Sequence, residues 1–304
     1  MTSSPSQIYN TNTDMSPTHA LHFPLAYRCP LCHAPLHQEE NSLKCEERHT
    51  FDYAKEGYVH LLPVQQKHSR APGDDKQMVQ ARRRFLEAGY YDCLKEHMQQ
   101  LIRNIQPQRL LDIGCGEGFF TQSMAHASTP TAEIEGTPTR HWPMDTYGLD
   151  ISKNAIRAAA KKHKDVAFCI ASYKQLPFLD QSLDVITRIY APSDDTELHR
   201  VLNDSGKLII VTPGPDHLLS LRQRIYDEVR PHQEQQKIPT GFQLEDTQRI
   251  NQTLQLDAAN VLDLLEMTPF GWHASEALKT SLAEQNTHSV DVDFIVNVYR
   301  RVKN

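Results

Sequence analysis

The chain has 304 residues, a formal net charge of −6 and six cysteines. At roughly 150 residues per domain that length suggests two domains, and the negative balance confines any nucleic-acid binding to a local basic patch. So few cysteines make no disulfide scaffold, and with no run near the ~20 apolar residues of a membrane span and no signal-peptide pattern, a soluble cytoplasmic protein is expected.

Residues 1–20 are rich in Ser, Thr, Pro and Asn and lack apolar periodicity, so a disordered tail is expected. A zinc-binding domain is expected over 21–66. It carries Cys29-Pro30-Leu31-Cys32, twelve intervening residues, then Cys45 and His49. Three thiolates and one imidazole complete a tetrahedral zinc shell, and four protein ligands leave no open position, so the metal would be structural. His33 and His37 lie nearby, but His49 fits the second knuckle better. The run Phe51–Pro63 then reads as a strand with its turn.

A basic linker and helix are expected over 67–106. Lys67 to Arg84 holds six Lys/Arg against two Asp. The stretch suits phosphate contact, with Arg82, Arg83 and Arg84 as candidates, or else a solvated helix face. Asp74 or Asp75 would cap the helix that follows. Leu94, Met98, Leu101, Ile102 and Ile105 keep helical spacing. Tyr90 and Tyr91 precede them and would fold back over a pocket or else belong to the core.

From residue 107 to 304 the pattern becomes strand, helix, strand, the mark of a doubly wound α/β sheet. Strands are expected at Arg109–Ile113, Thr146–Asp150, Val166–Ala171, Leu183–Ile189 and Lys207–Thr212. Helices are expected at Phe119–Ala127, Lys153–Lys162, Thr196–Leu202, Leu218–Val229 and Ala258–Met267. The aperiodic stretch 128–145 reads as a surface insertion. Leu110–Ile113 runs into Gly114, Gly116 and Gly118, a turn that lets a ligand touch backbone at a helix N-terminus. Asp112 belongs to the same motif. Asp150 ends the second strand, where an acid accepts bonds from ribose hydroxyls or else caps the following helix. Ser172 ends the third strand, a place that can flank an adenine ring. Pro213-Gly214-Pro215-Asp216-His217 forms a rigid loop on the same sheet edge. His217 would face a cofactor or cap a helix. Phe242–Leu256 reads as strand-bearing, Thr268–Trp272 as a stiff aromatic turn, and Val290 to Val298 alternates as an antiparallel strand.

Asp112-x-Gly114-x-Gly116-x-Gly118 followed by Asp150 resembles motif I and its acidic partner in S-adenosylmethionine-dependent class I methyltransferases. The resemblance implies a Rossmann-like, mostly parallel sheet with an antiparallel strand, plus a small N-terminal zinc-ribbon-like domain. The wider order is more specific. The Cys3His module, Ala54-Lys55-Glu56-Gly57-Tyr58, Leu61-Leu62-Pro63, Pro72-Gly73-Asp74, Ile189-Tyr190-Ala191-Pro192, Pro213-Gly214-Pro215 and Met267-Thr268-Pro269-Phe270 resemble the bacterial 23S rRNA (guanine-N1)-methyltransferase family over residues 25 to 300. By that resemblance Tyr91, Gly116, Glu117 and His217 join the cofactor pocket. Tyr190, Phe270 and Trp272 are candidates to stack the substrate base, or else belong to the core. It implies methylation of guanine N1 in a 23S rRNA hairpin loop, with S-adenosylmethionine and a structural zinc. The partner is 23S ribosomal RNA, no membrane is involved, and a homodimer is left open. A methyltransferase of a small metabolite would share only the Rossmann-like half. A non-catalytic zinc-ribbon RNA-binding module would lack a use for the intact glycines.

Overall fold

The computed structural model describes residues 26–64, 73–128, 143–229, 232 and 237–302. The tail expected at 1–20, residues 129–142 of the insertion, and Lys67 and Arg70 of the basic stretch lie outside the described residues. Among the described residues, no helix is long and apolar enough to cross a membrane.

Three short antiparallel strands come first: β1 (His37–Glu39), β2 (Ser42–Lys44) and β3 (Thr50–Asp52). Then follow β4 (Val59–His60), α1 (Lys76–Glu87), α2 (Asp92–Ile105), β5 (Arg109–Ile113), α3 (Phe119–Ala125), β6 (Asp145–Asp150), α4 (Lys153–Lys162) and β7 (Ala167–Ile170). The chain continues through β8 (Leu183–Ile189), α5 (Asp195–Val201), β9 (Leu202–Pro213), α6 (Leu219–Ile225), β10 (Phe242–Leu256), α7 (Ala258–Glu266), α8 (Glu276–Ala283) and β11 (His288–Arg301). The main sheet runs β10-β11-β9-β8-β5-β6-β7-β4. Within it β11 is antiparallel to both neighbours, and the pairs among β9, β8, β5, β6, β7 and β4 are parallel. The strand order reverses between β5 and β8, the place where such sheets leave a crevice at their carboxyl ends.

Helix boundaries follow local chemistry. The Asp75 side chain accepts from the Met78 N–H and caps α1, while Ser152 caps α4 by accepting from the Ala155 N–H. Helix α6 stops at Ile225, short of the expected Val229, because Tyr226 turns extended and packs its ring on Phe270 and His273, at 6.2 and 5.7 Å between centroids. Strand β11 is also less alternating than its valines suggest. Its outer face is exposed at Ser289 and Asp291, but from Asp293 to Tyr299 both faces are buried.

Successive residues of the central strands point to opposite faces. Leu110, Ile209 and Val211 face a core built with Phe85, Leu94, Met98 and Val261 of α1, α2 and α7. Leu111, Leu208 and Ile210 face the other side, where they meet Tyr27, Leu43 and Cys45 of the N-terminal module. That module therefore covers part of one face of the sheet, beside Leu198 and Val201 of α5. Tyr27, Tyr147 and Phe178 form a ring cluster with centroids 5.2 to 5.5 Å apart. Burying Phe178 alone contributes roughly 1.5–3 kcal/mol. Backbone bonds from Arg28 N–H to the Pro177 carbonyl (3.0 Å) and from Leu179 N–H to the Ala26 carbonyl (2.9 Å) tie the module to the β7–β8 connection. The parallel pairing of β4 with β7 adds a second tie.

Candidate active site and metal site

The metal site is local. A Cys-x2-Cys turn presents Cys29 and Cys32, and a second turn presents Cys45 and His49. His33 and Arg48 both take left-handed φ, 67° and 63°, where each turn closes with a bond back to the carbonyl of Cys29 or Cys45. The four donor atoms lie within 4.8 Å of one another. Cys32 and Cys45 sulfurs are 3.6 Å apart, and His49 Nδ1 lies 3.6 Å from Cys29 Sγ and 3.4 Å from Cys45 Sγ. A tetrahedron with zinc–sulfur bonds of about 2.3 Å has edges of roughly 3.7 Å, so the donor set fits zinc. His33 and His37 are exposed and stand outside the cluster.

The second site is a cavity of about 570 Å³ at the β5–β8 crevice. The glycine turn forms its floor. Gly114, Gly116 and Gly118 all take positive φ, at 70°, 56° and 85°. A side chain on Gly118 would strike His163 and Phe168 at 2.9 and 3.0 Å, so packing forbids one there. At Gly116 an added Cβ would meet only Arg82, 3.5 Å away. That glycine keeps open space above the turn, where a ligand reaches the backbone.

Two carboxylates hold the turn. Asp112 accepts from the hydroxyls of Thr121 (2.6 Å) and Thr187 (2.9 Å), and burial pushes its pKa up to about 6. Asp150 accepts from Gly116 N–H (3.0 Å) and Ser152 N–H (2.7 Å), and burial raises it as well. A carboxylate has about four lone-pair positions, so Asp150 retains acceptors for hydroxyl groups. Buried Glu117 is likewise raised by burial, with Arg83 Nε 3.5 Å from its Oε2. Asp74, Asp112, Glu117 and Asp150 stand on the wall against the single Arg82. Such a wall suits a ligand carrying positive charge.

The far end of the cavity rests on Asp293, which the sequence pattern hides on the outward-facing side of an alternating strand. It is fully buried. Its carboxylate accepts from Arg249 Nε (2.8 Å), Arg249 Nη2 (2.7 Å) and the Asp216 N–H (3.0 Å). A Cβ on Gly214 would sit 2.2 Å from this carboxylate, so the Pro-Gly-Pro loop closes on Asp293 only with glycine there. Asp293 also donates its N–H to His217 Nδ1 (3.1 Å). The His217 ring proton therefore sits on Nε2, which faces the Tyr190 hydroxyl at 3.5 Å. Burial pushes His217 down to about 4, so it is neutral at physiological pH. Tyr190 itself adopts a left-handed φ of 55°, a strained conformation of the kind that clusters at working sites.

Tyr91, Asp112, Gly114, Gly116, Glu117, Asp150, Tyr190, His217, Phe270 and Trp272 are brought together on one wall. Gly118 lies just behind it. Ser172 does not reach the wall, which Ala171 and Tyr173 line instead, and its hydroxyl accepts from the Lys174 N–H. Trp272 is 71% exposed and Tyr190 44%, both at the rim. The three arginines are engaged within the chain. Arg82 pairs with Asp74 and donates to the Met267 carbonyl (3.0 Å), Arg83 faces Glu117, and Arg84 holds both oxygens of Asp263 at 2.8 and 2.5 Å. Sequence reasoning missed Asp74, Met78, His232 and Met267 as wall residues. In the sequence Asp74 stands only as a candidate helix cap and as part of the Pro72-Gly73-Asp74 motif.

A zinc-ribbon family model described as "RlmA, N-terminal" matches residues 27–70, and one described as "Methyltransferase domain" matches residues 106–257. The 23S rRNA (guanine(748)-N(1))-methyltransferase of Streptomyces fradiae is 32% identical over 286 residues, covering 90% of this chain and 96% of that protein. A Bacillus subtilis protein provisionally named as a 23S rRNA (guanine-N1)-methyltransferase matches with the same identity and coverage. The demethylmenaquinone methyltransferase of Thermotoga maritima is 26% identical over 150 residues, 47% of this chain and 60% of that protein.

Proposed function

The chain belongs to the 23S rRNA (guanine-N1)-methyltransferase family, and from that premise we propose that it transfers the methyl group of S-adenosylmethionine to N1 of a guanine in a 23S rRNA hairpin loop. One observation carries the reading: the similarity to the Streptomyces fradiae enzyme runs through both the zinc ribbon and the cavity, while that to the menaquinone enzyme covers less than half of the chain. A small-metabolite enzyme has no use for the added ribbon, and a mere binding module has none for the glycine turn.

When bound, S-adenosylmethionine supplies an electrophilic methyl on a sulfonium, which makes transfer downhill and leaves the protein the task of positioning. The Gly114–Gly118 turn would bear its amino-acid end, Asp150 its ribose, and the acid-rich wall its positive charge. Guanine N1 lies on the Watson–Crick edge, so the base must stand in a loop or be flipped out. Tyr190, Phe270 and Trp272 at the rim offer faces for it. N1 grows strongly acidic as the methyl arrives, so a weak acceptor suffices for its proton. His217 has no acceptor nitrogen to spare, and we assign it to holding the Tyr190 ring. The zinc is structural, since all four of its positions are filled by protein.

The reading places the protein in the cytoplasm with 23S rRNA as its partner. A homodimer belongs to the same reading, and light scattering giving twice the chain mass would support it. For the reaction itself, unmodified 23S rRNA is incubated with labelled cofactor and then reverse-transcribed. Label in RNA with a transcription stop beside one guanine is expected, because an N1-methyl group blocks pairing. Label found instead in a metabolite extract would reject the reading.

A further inference from the structure

An RNA-binding surface needs positive charge not already cancelled. The arginine triplet is engaged by acids of this chain, and residues 26–64, which hold the zinc ribbon, carry four Lys/Arg against six Asp/Glu. A continuous run of positive charge lies on α4. Lys153, Arg157, Lys161, Lys162 and the following Lys164 fall within twelve residues that contain no Asp or Glu. All five are exposed, while Ala155, Ile156, Ala159 and Ala160 turn inward. Lys153, Arg157 and Lys161 recur every fourth residue, so they share a face and stand about 6 Å apart along the axis.

Their partners leave most of this charge in place. Among the described residues, no acid comes within ion-pair distance of Lys153 or Lys161. Arg157 is paired with Glu56 at 2.9 Å, so the unpaired charge of this face rests on Lys153 and Lys161. Lys164 Nζ donates to the carbonyls of Glu56 (3.0 Å) and Ala160 (2.7 Å), which satisfies hydrogen bonds without cancelling charge. Lys162 is likewise paired with a carboxylate, that of exposed Glu87. The stripe also has a direction. Its first residue, Lys153, follows Ser152, whose hydroxyl donates to the Asp74 carbonyl (2.8 Å) at the cavity wall, and Ile151 is itself part of that wall.

We propose that the Lys153–Arg157–Lys161 face of α4 is the track along which the RNA backbone approaches the cavity, with the zinc ribbon shaping that approach rather than gripping phosphates. The inference rests on the rRNA reading above. In a chain of net charge −6 a local cationic stripe leading to the cavity steers a polyanion to one place.

The test is the salt dependence of binding to an unmodified 23S rRNA hairpin between about 50 and 200 mM salt, with slopes near 0.7–0.9 per phosphate contact. The triple variant K153Q/R157Q/K161Q should lose about 2–3 from the slope of log Kd against log salt, and K153Q/K161Q, which breaks no ion pair, about 1.5. The ribbon variant K44Q/R48Q should keep the wild-type slope. Calorimetric affinity for S-adenosylmethionine reports that each variant is folded. A wild type that methylates the RNA, beside α4 variants with an unchanged slope or a ribbon variant with a reduced one, overturns the track alone. A wild type that transfers no label to RNA withdraws the rRNA reading and this inference together.

Discussion

The zinc ribbon draws its four ligands from Cys29 to His49, a stretch of twenty-one residues, whereas the wall of the cavity runs from Gly73 to Trp272. The first site is closed by two tight turns and needs little beyond its own segment. The second exists only once β5, β8, α1 and the chain after α7 have been brought together by the sheet. Yet the two are not energetically separate, because Cys29, Leu43 and Cys45 pack in the same buried cluster as Leu111 and Ile113 beneath the glycine turn. A locally specified module therefore serves as one cover of the sheet that a non-locally specified site stands on.

Removing the metal attacks that coupling hardest. Structural zinc supplies apparent folding free energies of about 10–16 kcal/mol in isolated fingers. Even a fraction of that, transmitted through Tyr27 and Phe178, should lower the melting temperature of the whole chain by about 10 °C or more, at roughly 2–4 °C per kcal/mol. Chelation and Cys45→Ser should act alike in thermal melts followed by circular dichroism. A melting curve untouched by chelation would mean that ribbon and sheet fold independently, and the shared core would count for nothing.

Gly116→Val probes the cavity while sparing the ribbon. Its positive φ costs a valine about 1–2 kcal/mol, and the space above it admits the Cβ. The folded protein should survive, with zinc content unchanged and affinity for S-adenosylmethionine reduced by about 100-fold or more in calorimetry. Normal affinity in this variant would move the cofactor off the turn.

Histidine separates the two regions by pH. His49 serves a metal, but His217 is neutral because it is buried. Its folded value of about 4 lies below the unfolded value near 6.5. As pH falls from 6.5 to 4 the unfolded chain takes up the proton first, so stability that is present above pH 6.5 drains away across that window. The loss at this site is roughly 2–3 kcal/mol. His163, also depressed to about 4, acts in the same direction, and Asp112, raised to about 6, acts oppositely. Both remain in His217→Gln, so they cancel in the comparison. Urea titrations at pH 7 and 4.5 should show the variant losing less than wild type, and equal losses would refute the buried neutral imidazole.

What was legible in the sequence follows the same division. The Cys-x2-Cys and Cys-x3-His spacings point to the four donors that the fold brings within 4.8 Å, because knuckle geometry is a short-range property. The glycine turn and Asp150 are equally readable, since a strand-to-helix bend with open backbone restricts residue choice. Strands β5 and β8 and helix α4 fall on their expected residues. Asp293 was invisible: an acid at an outward position of an alternating strand reads as solvated, and only the long-range pairing of β11 with β9 and β10 buries it against Arg249. The arginine triplet misleads for the mirror-image reason. Asp263, the partner of Arg84, lies 179 residues away, so local composition shows the cations without the acids that meet them.

The smallest expected effects come from that triplet, and they divide it. The Arg84 side chain is 59% exposed and clamps Asp263 at the surface, a pair worth at most about 1 kcal/mol. Arg84→Gln should leave both cofactor affinity and zinc content unaltered. Arg82 differs, because it joins Asp74 at the entrance of α1 to the Met267 carbonyl at the end of α7 and stands over Gly116. Losing it unfastens two edges of the cavity without removing any floor, so Arg82→Gln should raise the KM for S-adenosylmethionine several-fold while kcat changes little. If both variants instead lower the RNA salt slope, the triplet does contact phosphates and its acids are exchanged for RNA on binding. If Arg82→Gln alone moves the KM, the arginines belong to the cavity that α1 helps to close, and α4 is left to meet the RNA.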